Sequence, residues 1–167
     1  MDWLQVGVQW LHVLAGITWF GAVIYADFIL IPALMTLTPD VQRAAAAAVG
    51  ARAVKVIPGT ATAVIVLGIL RGTVWGRIHG LSDVTTTYGY LWLTALVLAV
   101  LTFAFAKVVI EPGIARINAI APAAATAADG TLSPEMTAAV DSVKRASLVE
   151  LGLFLVIFTC MILMRFN

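Results

Sequence analysis

Apolar residues dominate four long stretches of the chain, and polar residues gather between them. The stretches cover about residues 4–34, 56–76, 88–111 and 147–165. Each supplies the roughly 20 apolar residues that an α-helix needs to cross a hydrocarbon core of about 30 Å. The pattern predicts an all-α integral membrane four-helix bundle in contact with the lipid bilayer.

Composition agrees with this assignment. The 167 residues are 62% hydrophobic and only 11% charged, with a mean hydropathy of +1.01, outside the range of soluble domains. The first stretch has no basic residues before it and is too long for a signal peptide, so we expect it to remain as a helix. A net charge of +1 argues against a nucleic-acid partner. We detect no internal repeat, and a single transmembrane domain over 1–167 suffices.

The two longer connections carry helix-start signals. Thr38-Pro39-Asp40 resembles an N-cap followed by proline at the first helical position, so 35–55 is expected to continue as a helix into the second span. The alanine-rich connection 112–146 is interpreted as a spacer, with Ser133-Pro134 starting a helical extension of the fourth span.

Basic residues are divided unevenly between the two ends of the predicted bundle. The N-terminus, the 77–87 loop and the C-terminus share one side, which carries Arg71, Arg77 and Arg165. The side with the 35–55 and 112–146 loops carries the other basic residues, Arg43, Arg52, Lys55, Lys107, Arg116, Lys144 and Arg145. The positive-inside rule predicts an inner-membrane protein with external termini and two cytoplasmic loops.

One face of the first span combines polar and aromatic residues. At helical spacing the face holds Gln5, Gln9, His12, Gly16, Trp19, Val23 and Asp27. Because polar groups are costly in hydrocarbon, this face should point toward the bundle interior or a cofactor. The absent side chain of Gly16 leaves a notch below His12, and Trp19 and Phe20 offer flat apolar walls that suit a planar ring.

The second span contains glycine at every fourth position near its outer end. In LGILRGTVWGR these are Gly68, Gly72 and Gly76, a pattern that favours close helix packing and would also admit the edge of a porphyrin. Trp75 of the same stretch is a further candidate for lining a porphyrin site. Two interpretations apply to Arg71 and Arg77. Their side chains extend to the membrane interface, or they bind the carboxylates of a ligand, which the planar guanidinium group can hold with two hydrogen bonds.

Further candidates follow in the outer loop and third span. His79 has three interpretations: a second axial ligand if the chain binds a haem iron, a contact at the rim of the haem pocket, or an ordinary loop residue. Tyr88, Tyr90 and Trp92 form either an interfacial aromatic belt or the distal wall of a pocket. A largely apolar distal pocket would suit small uncharged gases.

Four charged residues lie toward the opposite end of the spans. Lys107 and Glu111 are separated by four residues on one helix, and Asp27 or Glu150 could complete a network with them. A structural ion cluster is the preferred interpretation, and a proton or ion path is the alternative.

The stretch WLHVLAGITWFGAVIYADFILIPAL resembles the first span of small bacterial haem-binding membrane proteins. These are the copper-resistance protein D family, the HemJ-type protoporphyrinogen oxidases and the membrane-bound nitric oxide dioxygenases. The shared residues are His12, Gly16 and the step Trp19-Phe20-Gly21. The resemblance implies a b-type haem with His12 as the iron ligand.

Together these features give a functional hypothesis. A five-coordinate haem b on His12 would bind O2 or nitric oxide and oxidise nitric oxide to nitrate, with electrons from an unknown donor. One alternative is a six-coordinate haem in an electron-transfer or protoporphyrinogen-oxidising subunit, and another is a transport or scaffold protein without haem. The small-residue faces would also permit a homo-oligomer.

Overall fold

Four long helices make up the bundle, as the hydropathy pattern predicts. The computed structural model describes residues 2–120, 125 and 132–166. The helices are α1 (Trp3–Leu34), α2 (Pro39–Thr73), α3 (Thr87–Ala119) and α4 (Pro134–Phe166). All four are long and apolar enough to span a membrane, which makes this an all-α, multi-pass membrane protein.

Both predicted helix starts are confirmed. Thr38 is the N-cap of α2 and is followed by Pro39, and α2 then runs without a break through the connection into the second span. The Ser133 hydroxyl accepts a hydrogen bond from the backbone N–H of Met136 at 3.3 Å, which caps the first turn of α4. Residues 121–124 and 126–131 of the predicted spacer lie outside the described residues.

The helix of the second span ends three residues before its predicted end. α2 stops at Thr73, and the backbone N–H of Ile78 then donates to the carbonyl of Gly72 at 3.1 Å. Gly76 lies in this turn against the Gly72 carbonyl, where a Cβ atom would have no space. The predicted ridge of three glycines therefore has only two members on the helix.

Two helices contain a five-residue π segment that the sequence pattern did not reveal. The segments are Ala26–Leu30 in α1 and Ala106–Ile110 in α3, and proline follows each one as Pro32 or Pro112. Proline lacks an N–H and its ring crowds the preceding turn, which the wider π turn relieves. The two segments lie 80 positions apart.

The core is an aromatic layer halfway along the bundle. Trp19 of α1 is 2% exposed and meets Phe154 of α4 edge to face, with ring centroids 4.8 Å apart. Phe20 packs against both Phe154 and Phe158. Buried alanines line the neighbouring helices, at Ala61, Ala95 and Ala99. Small residues at these positions let the helix backbones approach closely.

Replacement of Trp19 by alanine should therefore weaken the bundle. We expect Trp19→Ala to lower the free energy of unfolding by about 3 kcal/mol, because it opens a cavity against Phe154. Trp10, on the same helix, is 64% exposed, so Trp10→Ala should change stability far less. Unfolding by sodium dodecyl sulfate in mixed micelles measures both, and equal losses would contradict the assigned core.

Candidate functional site

His12 lies inside the bundle near one end of α1. Its side chain is 9% exposed, and the other buried residues of α1, Trp19 and Val23, share its face. The prediction that this face points toward the interior is thus confirmed. The ring nitrogen Nδ1 is buried and has no hydrogen-bond partner, while the backbone of Val64 on α2 lies within hydrogen-bonding reach of the ring.

The glycines of α2 form the surface on which His12 rests. A Cβ atom on Gly68 would lie 3.2 Å from Cε1 of His12, which is tighter than an ordinary contact. A Cβ atom on Gly72 would overlap the indole of Trp92 from α3. The Trp92 Nε1–H donates to the carbonyl of Gly68 at 3.2 Å. The two glycines therefore hold α1, α2 and α3 together, in agreement with the close-packing interpretation.

Arg71 lies one turn after Gly68 and is tied to α1. Its Nε donates to Oε1 of Gln9 at 2.6 Å, and its Nη1 reaches the backbone carbonyl of Trp75 at 3.5 Å. The Trp75 indole donates in turn to Oδ2 of Asp2 at 3.1 Å. These contacts place a half-buried guanidinium at the same end of the bundle as His12.

The other residues predicted near the outer end are arranged more loosely. The Arg77 guanidinium lies 5.4 Å from the centroid of the Tyr88 ring, a cation–π contact across the loop. His79 is exposed, and its backbone N–H donates to Oδ2 of Asp83 at 2.8 Å. The structure therefore fixes the backbone of His79, while the residue itself stays exposed.

The residues predicted to form flat walls belong to the aromatic core. Trp19 and Phe20 pack on Phe154 and Phe158 of α4, as described above. A Cβ atom on Gly16 would lie 3.9 Å from Cγ2 of Val64, so Val64 covers the predicted notch with an ordinary contact. The surroundings of His12 are accordingly formed by Gly68, Val64 and the Arg71 pair.

The predicted charge network at the opposite end divides into two parts. Lys107 forms an ion pair with Glu111 four residues later, as the spacing predicts. Among the described residues no ion pair joins Asp27 or Glu150 to that pair, and Oδ2 of Asp27 is buried without a hydrogen-bond partner.

The sequence analysis also did not predict the contacts that Asp2 and Gln9 make near Arg71. Gln9 was placed on the inward face, but its bond to Arg71 joins residues 62 positions apart. Asp2 is the N-cap of α1 and accepts hydrogen bonds from the backbone N–H groups of Leu4 and Gln5. An acidic residue just before an apolar run indicates an N-cap, so the capping role of Asp2 could be read from the sequence. Its hydrogen bond with Trp75 could not, because no sequence pattern links these two residues.

The chemistry of this site is that of one buried, unpaired imidazole nitrogen. Such a nitrogen accepts a hydrogen bond or binds a metal ion. Among the described residues, no three His, Cys, Asp or Glu side chains come together to hold an ion.

Comparisons with known proteins give no relative for this chain. No family model, curated protein or solved structure matches it. The resemblance carried by His12, Gly16 and Trp19 therefore remains a basis for proposal only.

Substitution of Gly72 tests whether the glycine surface is needed for packing. Gly72→Ala should lower the free energy of unfolding by about 1–3 kcal/mol, because the new methyl group displaces Trp92. Gly21 has no atom within 4 Å of its Cβ position, so Gly21→Ala should be neutral or stabilise by up to about 1 kcal/mol. Thermal unfolding in detergent compares the two, and equal behaviour would contradict the packing.

Proposed function

We propose that this protein binds haem b and that His12 is the axial ligand of the iron. The observation that carries this proposal is the buried imidazole of His12, whose Nδ1 has no partner in the bundle interior. An imidazole that binds iron needs one free nitrogen and, on the other, a contact that fixes the ring. His12 meets the first need through its free Nδ1, and its ring packs directly against Gly68 of α2.

Neighbouring residues would supply contacts for the remaining parts of a haem. Arg71 presents a cation one turn from Gly68, and Arg77 a second cation beyond the end of α2, where each would pair with a propionate. Gly68 and Gly72 lack side chains at the level of His12, and Trp92 and Tyr88 add aromatic surface. In the described arrangement the Trp92 indole covers Gly72, so this side chain would turn aside to admit a macrocycle.

The proposed activity is the oxidation of nitric oxide to nitrate with O2 and one electron from a donor protein or quinol. Haem iron, when bound, supplies the oxygen chemistry. The chain would hold the iron through His12, exclude water with apolar helices and balance the propionate charge with Arg71 and Arg77. Nitric oxide and O2 are both uncharged and enter such a site from the hydrocarbon.

The location that fits this activity is the bacterial inner membrane, with external termini. Seven of the ten basic residues lie on or toward the side of the two longer connections, which the positive-inside rule places in the cytoplasm. The site at His12 would then lie in the outer half of the membrane.

Haem retention tests the ligand assignment. Protein purified from haem-replete cells should show a Soret band, and His12→Ala should reduce the haem bound per protein by at least about tenfold, since the iron loses its protein ligand. The matched control is His79→Ala, which removes an exposed histidine and should retain haem. A colourless wild-type protein, or full retention in His12→Ala, would contradict the proposal.

Carbon monoxide binding tests the open coordination position. After reduction with dithionite, the wild-type spectrum should shift on addition of carbon monoxide, because the iron has a free sixth position. The shift should be the same in His79→Ala. A low-spin haem that rejects carbon monoxide would favour the six-coordinate alternative, with His79 or another residue as the second ligand.

A further inference from the structure

A hydrogen bond between two polar side chains joins α1 to α2 at the His12 end of the bundle. Nε of Arg71 donates to Oε1 of Gln9 at 2.6 Å, and both residues are half-buried. Gln9 lies one turn before His12 on the same face of α1, and Arg71 lies one turn after Gly68, against which the His12 ring packs. The bond therefore belongs to the immediate surroundings of His12.

This bond uses only one edge of the guanidinium group. A guanidinium carries five N–H donors, one on Nε and four on the two Nη atoms. Gln9 takes the Nε donor, and Nη1 reaches the Trp75 carbonyl only at 3.5 Å, the outer limit of a hydrogen bond. Within the described part of the chain, no group accepts a hydrogen bond from Nη2. The edge formed by Nη1 and Nη2 is thus available to a ligand.

The charge of Arg71 also has no partner among the described residues. Gln9 is neutral, so it accepts a hydrogen bond without cancelling the positive charge, and no described ion pair includes Arg71. Asp2, the acid at this end of α1, accepts hydrogen bonds from backbone N–H groups of α1 and from the Trp75 indole. A half-buried cation without a countercharge is costly in a membrane span, which favours an anionic ligand as its partner.

The position of Arg71 at the end of α2 explains its charge only in part. Arg71 lies in the last turn of the helix, where the free carbonyl groups attract cations. That attraction needs neither a planar side chain nor a bond to α1, and a lysine would serve it equally well. A guanidinium that is fixed at Nε, by contrast, keeps an edge of two donors that matches the two oxygens of a carboxylate.

We propose that Gln9 is a positioning residue, which holds Arg71 at Nε so that the Nη edge of the guanidinium binds a carboxylate of the ligand at His12. The inference rests on the proposed haem function, in which this carboxylate is a propionate. Because Gln9 is neutral, it orients the arginine and leaves its charge to the ligand. α1 then carries both the axial ligand and the residue that orients the propionate partner.

The rate of haem release from the full chain in lipid nanodiscs to excess apomyoglobin tests this role. Gln9→Leu and Arg71→Ala should each release haem about tenfold faster than the wild type, the effect of losing one charge-assisted hydrogen bond. The double variant should release haem no faster than Arg71→Ala, because Gln9 acts only through Arg71. Effects that multiply in the double variant would overturn the proposal.

The matched control is Gln5→Leu. Gln5 is also half-buried and lies one turn before Gln9, but the Gln5 side chain makes no hydrogen bond to another described residue. Its replacement should leave the rate of haem release unchanged. Equal acceleration in Gln5→Leu and Gln9→Leu would overturn the proposal, since it would indicate a general effect of polarity on this face of α1.

Gln9→Glu separates positioning from a purely structural role and covers the case in which Gln9→Leu does not fold. The glutamate has the same shape and still accepts the bond from Arg71, so unfolding in detergent should require at least as much denaturant as in the wild type. Haem release should nevertheless be faster, because the new carboxylate neutralises Arg71 and repels the propionate. Release at the wild-type rate, or more slowly, would overturn the proposal.

Resonance Raman spectroscopy reads the propionate contact directly. The propionate bending bands should shift in the same direction in Gln9→Leu and Arg71→Ala, and identical bands in the wild type and Gln9→Leu would overturn the proposal. A haem-loaded wild type whose release rate does not respond to Gln9 would overturn this inference alone and leave His12 as the proposed ligand. A wild type without haem would overturn both.

Discussion

Hydrocarbon does not hydrate polar groups, and the whole arrangement follows from this constraint. The membrane-facing surface is apolar, and the polar side chains of α1 project inward on one face. His12 and Asp27 stand on that face 15 residues apart, about 22 Å at the rise of an α-helix. α1 therefore determines the depth of both polar sites, while α2 and α4 supply what surrounds them.

At the contact between α1 and α2, both the backbone and the side chains enclose the polar His12. Gly68 lets the His12 ring lie directly against the neighbouring backbone, and its carbonyl also accepts the hydrogen bond of Trp92. The residues of the proposed haem site are therefore also the residues that pack these helices together. A glycine pair that merely joins helices would not need a histidine against it, because any small apolar side chain would pack there at lower cost.

Local sequence patterns predicted most of the fold, but they predicted few of the side-chain contacts between helices. Hydropathy located the four spans, the Thr38 and Ser133 signals located two helix starts, and helical spacing identified the inward face of α1. Pro32 and Pro112 are visible in the sequence, but helical spacing alone did not show that a π segment precedes each of them. The burial of Glu150 on α4 depends on helix register, which spacing along one helix does not determine.

The aromatic layer separates the two polar sites physically. Trp19, Phe20 and Phe154 fill the bundle between the level of His12 and that of Asp27, and they present rings to one another rather than hydrogen-bonding groups. The two polar positions of α1 therefore lie on opposite sides of one apolar layer.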